Sequence, residues 1–322
     1  MDKISIGFIG TGGMAQVHAG QLLELENAEI KAITDVSSEA RERFINKIGK
    51  PNIEQYSDYQ EMLKQANLDA IVICSPHTLH FQQATDALKN GLHVLIEKPM
   101  TCTSEEAEQL VKTAGETGKI MQVSYQRHFQ PEFIYIHDAI ANGVIGNVTS
   151  VTASLYQQWW RGKRENLPWR MDPKLSGGGF LMDSGSHIID VLLWTTGLTP
   201  VEVKTQLSQQ GAPVEIDTFT SIKFEEGAVA GLNLVGYSPA WHETYVFCGE
   251  KGAIFYENDK VTLHLSDKEP VVPELPKQTT NQDKSFIDAI LGRHEVSVPG
   301  EFAIKVVKFS EMVYQSAGYK PY

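Results

Sequence analysis

The chain has 322 residues, 42% apolar and 21% charged, with a formal net charge of −12. That length holds two domains with cores of their own, and the composition is that of an ordinary globular protein. The acidic balance argues against nucleic acid or an anionic membrane surface as partner. No apolar run approaches the roughly 18 residues of a bilayer span, and the opening MDKISIGFIG has no charged-then-apolar leader pattern. Cys74, Cys102 and Cys248 are scattered and odd in number. They suit reduced thiols in a cytoplasm and make no zinc cluster, so no metal is expected.

Lys3–Ile9 is a short apolar strand, followed by Gly10-Thr11-Gly12-Gly13-Met14-Ala15 and a helical stretch to about Leu25. This is G-x-G-x-x-A between a strand and a helix, the context of a dinucleotide site. Gly10 permits the tight turn. Gly12 lets the backbone approach a pyrophosphate, whose charge the helix N-terminus favours. Gly13 and Met14 open that helix, and Ala15 lets it pack closely on the strand. A second strand, Glu29–Thr34, ends at Asp35. An acid there bonds the adenosine ribose hydroxyls and repels a 2′-phosphate, which favours NAD. Arg41, a turn further on, can take up a phosphate and keeps NADP open.

The alternation continues. A helix over 37–48 stops at Gly49-Lys50-Pro51, and 53–56 is a short strand. Ser57-x-x-Gln60 reads as a capping box for the next helix. Strand 69–74 leads to Ser75-Pro76-His77-Thr78-Leu79-His80, and a helix over 79–90 follows. Ser75, Pro76, His77 and His80 are placed on the cofactor side. The two histidines have the spacing of a metal pair, yet no third ligand is evident, and a turn with a helix-start histidine accounts for them better. The fifth strand, 92–96, runs into Glu97-Lys98-Pro99. Glu97 and Lys98 join the cofactor edge, and Lys98 can donate to a substrate oxygen. Thr103 caps a helix that stops near Gly118, and 120–124 is the sixth strand. Strands and helices alternating in this way give a parallel, doubly wound sheet with ligands at the strands' C-terminal ends.

Tyr125-Gln126-Arg127-His128 leaves the sixth strand near that crevice. Gln126 is assigned to the cofactor, while Arg127 reads either as a substrate anchor or as a hinge residue. A helix over 131–143 and a strand over 148–157 precede an aromatic, basic loop from Trp159-Trp160-Arg161-Gly162-Lys163-Arg164 to Trp169-Arg170. Such a loop suits a carbohydrate, whose C–H faces stack on aromatics and whose hydroxyls bond arginine, or equally an interface. Trp160 and Tyr156 are candidate substrate residues. Ser176–Trp194, SGGGFLMDSGSHIIDVLLW, reads as three glycines and a buried helix. At 100° per residue, Asp183, His187 and Asp190 share roughly a 60° arc. Two readings stand: the acid/base edge of an active site, with Asp190 on substrate hydroxyls, or a structural histidine held by two carboxylates. Strands at 201–207, 217–224, 229–237, 243–248, 253–256 and 261–265 then form one open, mostly antiparallel sheet. Its second face needs cover, which predicts a homodimer or homotetramer. Helices over 281–291 and 301–316 close the chain.

GFIGTGGMA, SPHTLH, GLHVLIEKP and GGGFLMDSGSHIID, with the closing PGEFAIKVVKFSEMVYQSAG, together resemble the Gfo/Idh/MocA family, which includes glucose–fructose oxidoreductase and inositol dehydrogenase. The resemblance covers nearly the whole chain. It implies that Lys98, Asp183 and His187 form the catalytic group, that some of Trp160, Trp169 and Arg170 cover the nicotinamide, and that the chain oligomerises.

The expected architecture is therefore an α/β N-terminal Rossmann domain, 1–124, and an α+β C-terminal domain, 125–322, with a large open, mostly antiparallel sheet for substrate binding and oligomerisation. The expected activity is hydride transfer between a secondary alcohol or ketone of a sugar or polyol and NAD, or NADP. Two alternatives compete: a glycosidase or lyase that oxidises a sugar transiently on retained NAD, and a non-catalytic cofactor sensor, against which the joint presence of Lys98, Asp183 and His187 argues.

Overall fold

The computed structural model describes residues 3–161 and 168–321. The chain divides into two units, Met1–Gln126 with Thr280–Ile304, and Arg127–Thr279 with Lys305–Tyr322. The first crossing thus lies at 126/127 rather than 124/125. The single second domain over 125–322 is corrected, because residues 280–304 return to the first unit.

The first unit alternates β1 (Ile4–Ile9), α1 (Gly13–Leu23), β2 (Ala28–Thr34), α2 (Ser38–Ile48), β3 (Glu54–Tyr56), α3 (Tyr59–Gln65), β4 (Ala70–Ile73), α4 (His80–Lys89), β5 (His93–Glu97), α5 (Ser104–Thr117) and β6 (Met121–Ser124). The strands pair in parallel in the order β3-β2-β1-β4-β5-β6. Chain order reverses between β1 and β4, where open α/β sheets take their ligands. Ile6, Phe8, Ile71, Val72, Leu95 and Ile96 are fully buried, as strands covered on both faces require. Ser37 accepts from Ala40 N (3.1 Å) and Thr103 from Glu106 N (3.2 Å) at helix starts. α3 begins one residue later than its capping box implies, so Asp58, not Ser57, is the N-cap and accepts from Gln60 N (2.8 Å). The return segment holds α9 (Gln282–Ile290) and the start of α10 (Gly300–Ser316). Phe286 and Ile287 of α9 enter the core that contains Ile6 and Phe8. Val123 N donates to Val298 O (3.0 Å), which ties the segment to β6. An apolar helix face explains why this piece returns.

The second unit follows a 3₁₀ turn (Gln126–Phe129) with α6 (Pro131–Ala141), β7 (Val148–Gln158), the short α7 (Pro173–Ser176), a π-helical turn (Leu181–Gly185) and α8 (Ser186–Thr196). Then come β8 (Pro200–Ser208), β9 (Asp217–Phe224), β10 (Val229–Val235), β11 (Tyr237–Gly249), β12 (Gly252–Glu257) and β13 (Lys260–Leu265). Among the described residues these strands form a seven-stranded sheet, β13-β12-β11-β7-β10-β9-β8, antiparallel except for β7 with β10. β11 starts six residues earlier than the alternation predicts, with an irregularity between Tyr237 and His242. On β9, Thr220, Ile222 and Phe224 are buried while Phe219, Ser221 and Lys223 are exposed. The register places Val229 and Phe255 on that same outer face. Among the described residues no helix is long and apolar enough to cross a membrane.

Candidate active site

In the first unit the motif residues gather at the strands' C-terminal ends. Gly10 has φ +85°, and a Cβ there would lie 2.8 Å from the Cys74 carbonyl, so only glycine lets β1 turn beside β4. Gly12 is the N-cap of α1 and has no side-chain cap. A Cβ at Gly12 or Gly13 would meet nothing within 4 Å. The head of this 11-residue helix is therefore open beside both glycines and carries no side-chain cap, which fits the pyrophosphate of a dinucleotide. Ala15 is fully buried behind them, and Met14 lies at the surface. At the end of β2, Asp35 Oδ2 accepts from Thr11 N (2.9 Å) and Thr11 Oγ1 (3.1 Å), and Oδ1 accepts from Ser37 N (3.0 Å). The Arg41 guanidinium donates to the Asp35 carbonyl. The carboxylate is oriented before any ligand arrives.

After β4, Ser75 Oγ donates to Gln83 Oε1 (2.5 Å), and Pro76 precedes a 3₁₀ turn, His77–Leu79. His77 is buried, its ring centroid 5.9 Å from that of His80. His80 corrects its assignment to the cofactor. It is fully buried, with Nδ1 2.8 Å from the Pro99 carbonyl and Nε2 2.9 Å from the Ser75 carbonyl. Two carbonyl acceptors are both satisfied only by imidazolium, whereas burial disfavours that charge and holds the pKa below its ordinary value. His80 bolts the end of β4 to the end of β5. Glu97 is buried too and accepts from His18 Nε2 (2.9 Å). The other nitrogen of His18 lies 2.9 Å from both Asp283 oxygens. Burial works against the His18 charge, but Asp283 and Glu97 outweigh it and push its pKa up to about 10. Glu97 is thereby corrected as a cofactor residue, its carboxylate being taken by His18, and Lys98, which follows it, is half-buried. Gln126, past the end of β6, is half-buried as well.

In the second unit Asp183 is buried, and its Oδ2 accepts from Trp159 Nε1 (2.7 Å) and Arg170 Nε (2.7 Å). Arg170 lies over the Trp169 ring, 4.3 Å from its centroid. His187 stands half-buried in the first turn of α8. Asp183 precedes α8 in the π turn, where Gly185 N donates to Phe180 O (2.8 Å), five residues back. That wider turn alters the phase between Asp183 and α8, and Asp190 is corrected as a substrate residue. Asp190 is fully buried and accepts from His128 Nε2 (2.8 Å), and burial raises its pKa. The His128 ring stacks on Trp194 (3.9 Å), with His137 also stacked on Trp194 (4.7 Å). Arg127 is corrected as a substrate anchor. Its guanidinium pairs with both Glu243 oxygens, donates to Tyr245 Oη (2.8 Å) and sits 5.2 Å from the Phe133 centroid. Tyr156, Trp160 and Trp169 are half-buried, and the Tyr156 ring is 6.0 Å from His242. Gly162, Lys163 and Arg164 of the aromatic loop lie outside the described residues.

Sequence reasoning did not find Trp159 as an Asp183 donor, the His18–Asp283 pair, or Glu215, a buried carboxylate that accepts from Gly179 N (2.7 Å) just ahead of the Asp183 turn. Trp159 was legible only as one aromatic of a loop, and the others depend on contacts distant in sequence.

A parallel sheet with an uncapped glycine turn at its switch point, and a buried aspartate one turn ahead of a histidine, define a nucleotide-binding oxidoreductase. The comparisons make the family explicit. Residues 4–125 match the model for an oxidoreductase family with an NAD-binding Rossmann fold, and residues 133–255 match the GFO/IDH/MocA C-terminal domain. The chain belongs to the Gfo/Idh/MocA family. It is 25% identical to D-glucoside 3-dehydrogenase of Escherichia coli (strain K12), over 98% of this chain and 95% of that one. It is 26% identical to myo-inositol 2-dehydrogenase of Thermotoga maritima, over 82% and 78%. It shares its fold with the WlbA dehydrogenase from Bordetella pertussis, solved with NADH and UDP-GlcNAcA, at TM-score 0.87, 23% identity and 99% and 96% coverage.

Proposed function

We propose that this NAD-binding oxidoreductase transfers hydride between a secondary alcohol or ketone of a sugar or polyol and nicotinamide. The observation that carries the reading is Asp183, held by two donors on the segment that carries His187 one turn on, in a family whose relatives include sugar and inositol dehydrogenases. NAD, when bound, supplies the hydride acceptor. The amides at the head of α1 would hold its pyrophosphate and Asp35 its ribose hydroxyls, which favours NAD over NADP. In the oxidising direction His187 accepts the substrate hydroxyl proton. Asp183 orients the imidazole and stabilises its charged form, while Trp159 and Arg170 keep Asp183 in place. Lys98 holds the oxygen as its proton leaves. Tyr156 and Trp160 are assigned to the sugar ring, and Trp169 and Arg170 to the nicotinamide side. A second copy of the chain covers the outer face of the seven-stranded sheet, where Phe219, Val229 and Phe255 are exposed. The cytoplasm is its expected compartment, in keeping with three free cysteines.

The test is reduced-nicotinamide absorbance on purified protein with excess NAD and a panel of inositols and aldoses, and with NADH and keto-sugars. Steady turnover with any member supports the reading. A change of about one equivalent per site that then stalls would instead indicate retained cofactor and transient oxidation, and silence across both panels would sink the dehydrogenase.

A further inference from the structure

Glu215, just ahead of β9, is fully buried and has no part in the mechanism above. Its carboxylate accepts from Gly179 N (2.7 and 2.8 Å), Leu181 N (3.1 Å) and Tyr314 Oη (2.9 Å). Its carbonyl accepts from Phe180 N (3.0 Å). Three consecutive amides are thus tied to one residue. The glycines make this approach feasible: a Cβ at Gly179 would lie 2.0 Å from the Glu215 carbonyl oxygen, and one at Gly178 2.2 Å from Tyr314 Oη. The contacts then lead on to the reacting segment. The Phe180 ring packs on Trp159 (centroids 5.7 Å apart), and Trp159 donates to Asp183 (2.7 Å).

We propose that Glu215, clamped by Tyr314, is a positioning residue that sets the turn carrying Asp183 toward His187; its bearing on catalysis rests on the dehydrogenase reading above. Burial pushes the Glu215 pKa up to about 7, while its backbone donors and Tyr314 act the other way. Among the described residues the titratable groups facing it are Tyr314 of α10 and Tyr319 beyond it, and residues 179–181 present backbone donors to it. The ionised carboxylate accepts every one of these donors. A protonated one turns an acceptor site into a donor facing an N–H, so the clamp loosens as pH falls through about 7.

The experiment uses the indole N–H resonances of the full chain, with that of Trp159 assigned by Trp159→Phe, followed against pH alongside kcat. In the wild type the Trp159 resonance titrates with a midpoint of about 7, and kcat rises through the same midpoint. In Glu215→Gln that titration disappears and kcat at high pH falls about tenfold, with the KM for NAD unchanged. Tyr314→Phe removes a donor to the anion and moves the midpoint up by about one pH unit. A folded Glu215→Gln that keeps the midpoint and the wild-type kcat overturns the proposal. If Glu215→Gln does not fold, an unmoved midpoint in Tyr314→Phe overturns it. A titrating Trp159 in a protein without turnover on any substrate supports the clamp and counts against the dehydrogenase alone.

Discussion

Replacing His18 with leucine tests the buried bridge in the first unit. His18 is fully buried between Glu97 and Asp283, with all contacts at 2.9 Å. A leucine side chain there would leave two buried carboxylates facing each other without a cation, and breaking a buried pair by removing one partner costs about 3–5 kcal/mol. The rise of the His18 pKa from 6.5 to about 10 corresponds to about 5 kcal/mol, in the same range. The unit should then melt about 6–20 °C lower by calorimetry. The pH dependence carries the sharper test. In the wild type the raised pKa makes this contribution fully present below 6.5, and it is lost as pH rises toward about 10. In the variant the stranded carboxylates bind protons more tightly folded than unfolded, so its deficit shrinks in acid. The gap between the two melting temperatures should therefore be widest between about pH 5 and 6.5 and narrow on both sides. A loss of under about 2 °C, or a gap that does not change with pH, would refute the charged bridge.

Lys98→Met and His187→Ala should each lower kcat by about 10²–10⁴ with NAD affinity retained, read by steady-state kinetics and calorimetric titration. Asp35→Ala should weaken NAD by about tenfold and NADP less; equal losses remove the basis for preferring NAD. Arg127→Leu should destabilise the second unit by about 3–5 kcal/mol through the unpaired Glu243, and a KM effect with unchanged melting would restore the substrate-anchor reading. Phe219→Asp should shift an oligomer to monomer in light scattering, because it puts a charge on the outer sheet face.

What was legible in the sequence was local. Gly10, Gly12 and Ala15 carry their roles in their spacing, and the strand of Thr218–Phe224 shows in its alternation. The break in helical phase ahead of His187 and Asp190 was not legible, because a 100° step presumes a regular helix. The π turn at Leu181–Gly185 inserts a wider step before α8 begins. Nothing in FLMDSG marks it, since it is fixed from outside by Glu215, 36 residues from Gly179. Arg127 and Glu243 are 116 residues apart, and His18 and Asp283 are 265 apart. Periodicity cannot pair such partners, so a buried cation in a motif reads as a ligand contact until its carboxylate is located.

Those distant pairs also explain how the motifs divide their work. In Glu97-Lys98-Pro99 the glutamate is locked by His18, and the Pro99 carbonyl is taken up by His80. Lys98, between two immobilised neighbours, is left half-buried. In SPHTLH the final histidine fastens two strand ends, while Ser75 and Pro76 form the half-buried edge. In the glycine-rich segment Gly178 and Gly179 admit Tyr314 and Glu215, so that Asp183 meets Trp159 and Arg170 at fixed distance. Holding a reacting group to a fraction of an ångström takes side chains that are themselves immobilised. A motif of this kind therefore contains more residues that hold than residues that react, and removing a holder should lower kcat by displacing its neighbour and not by removing a contact with substrate.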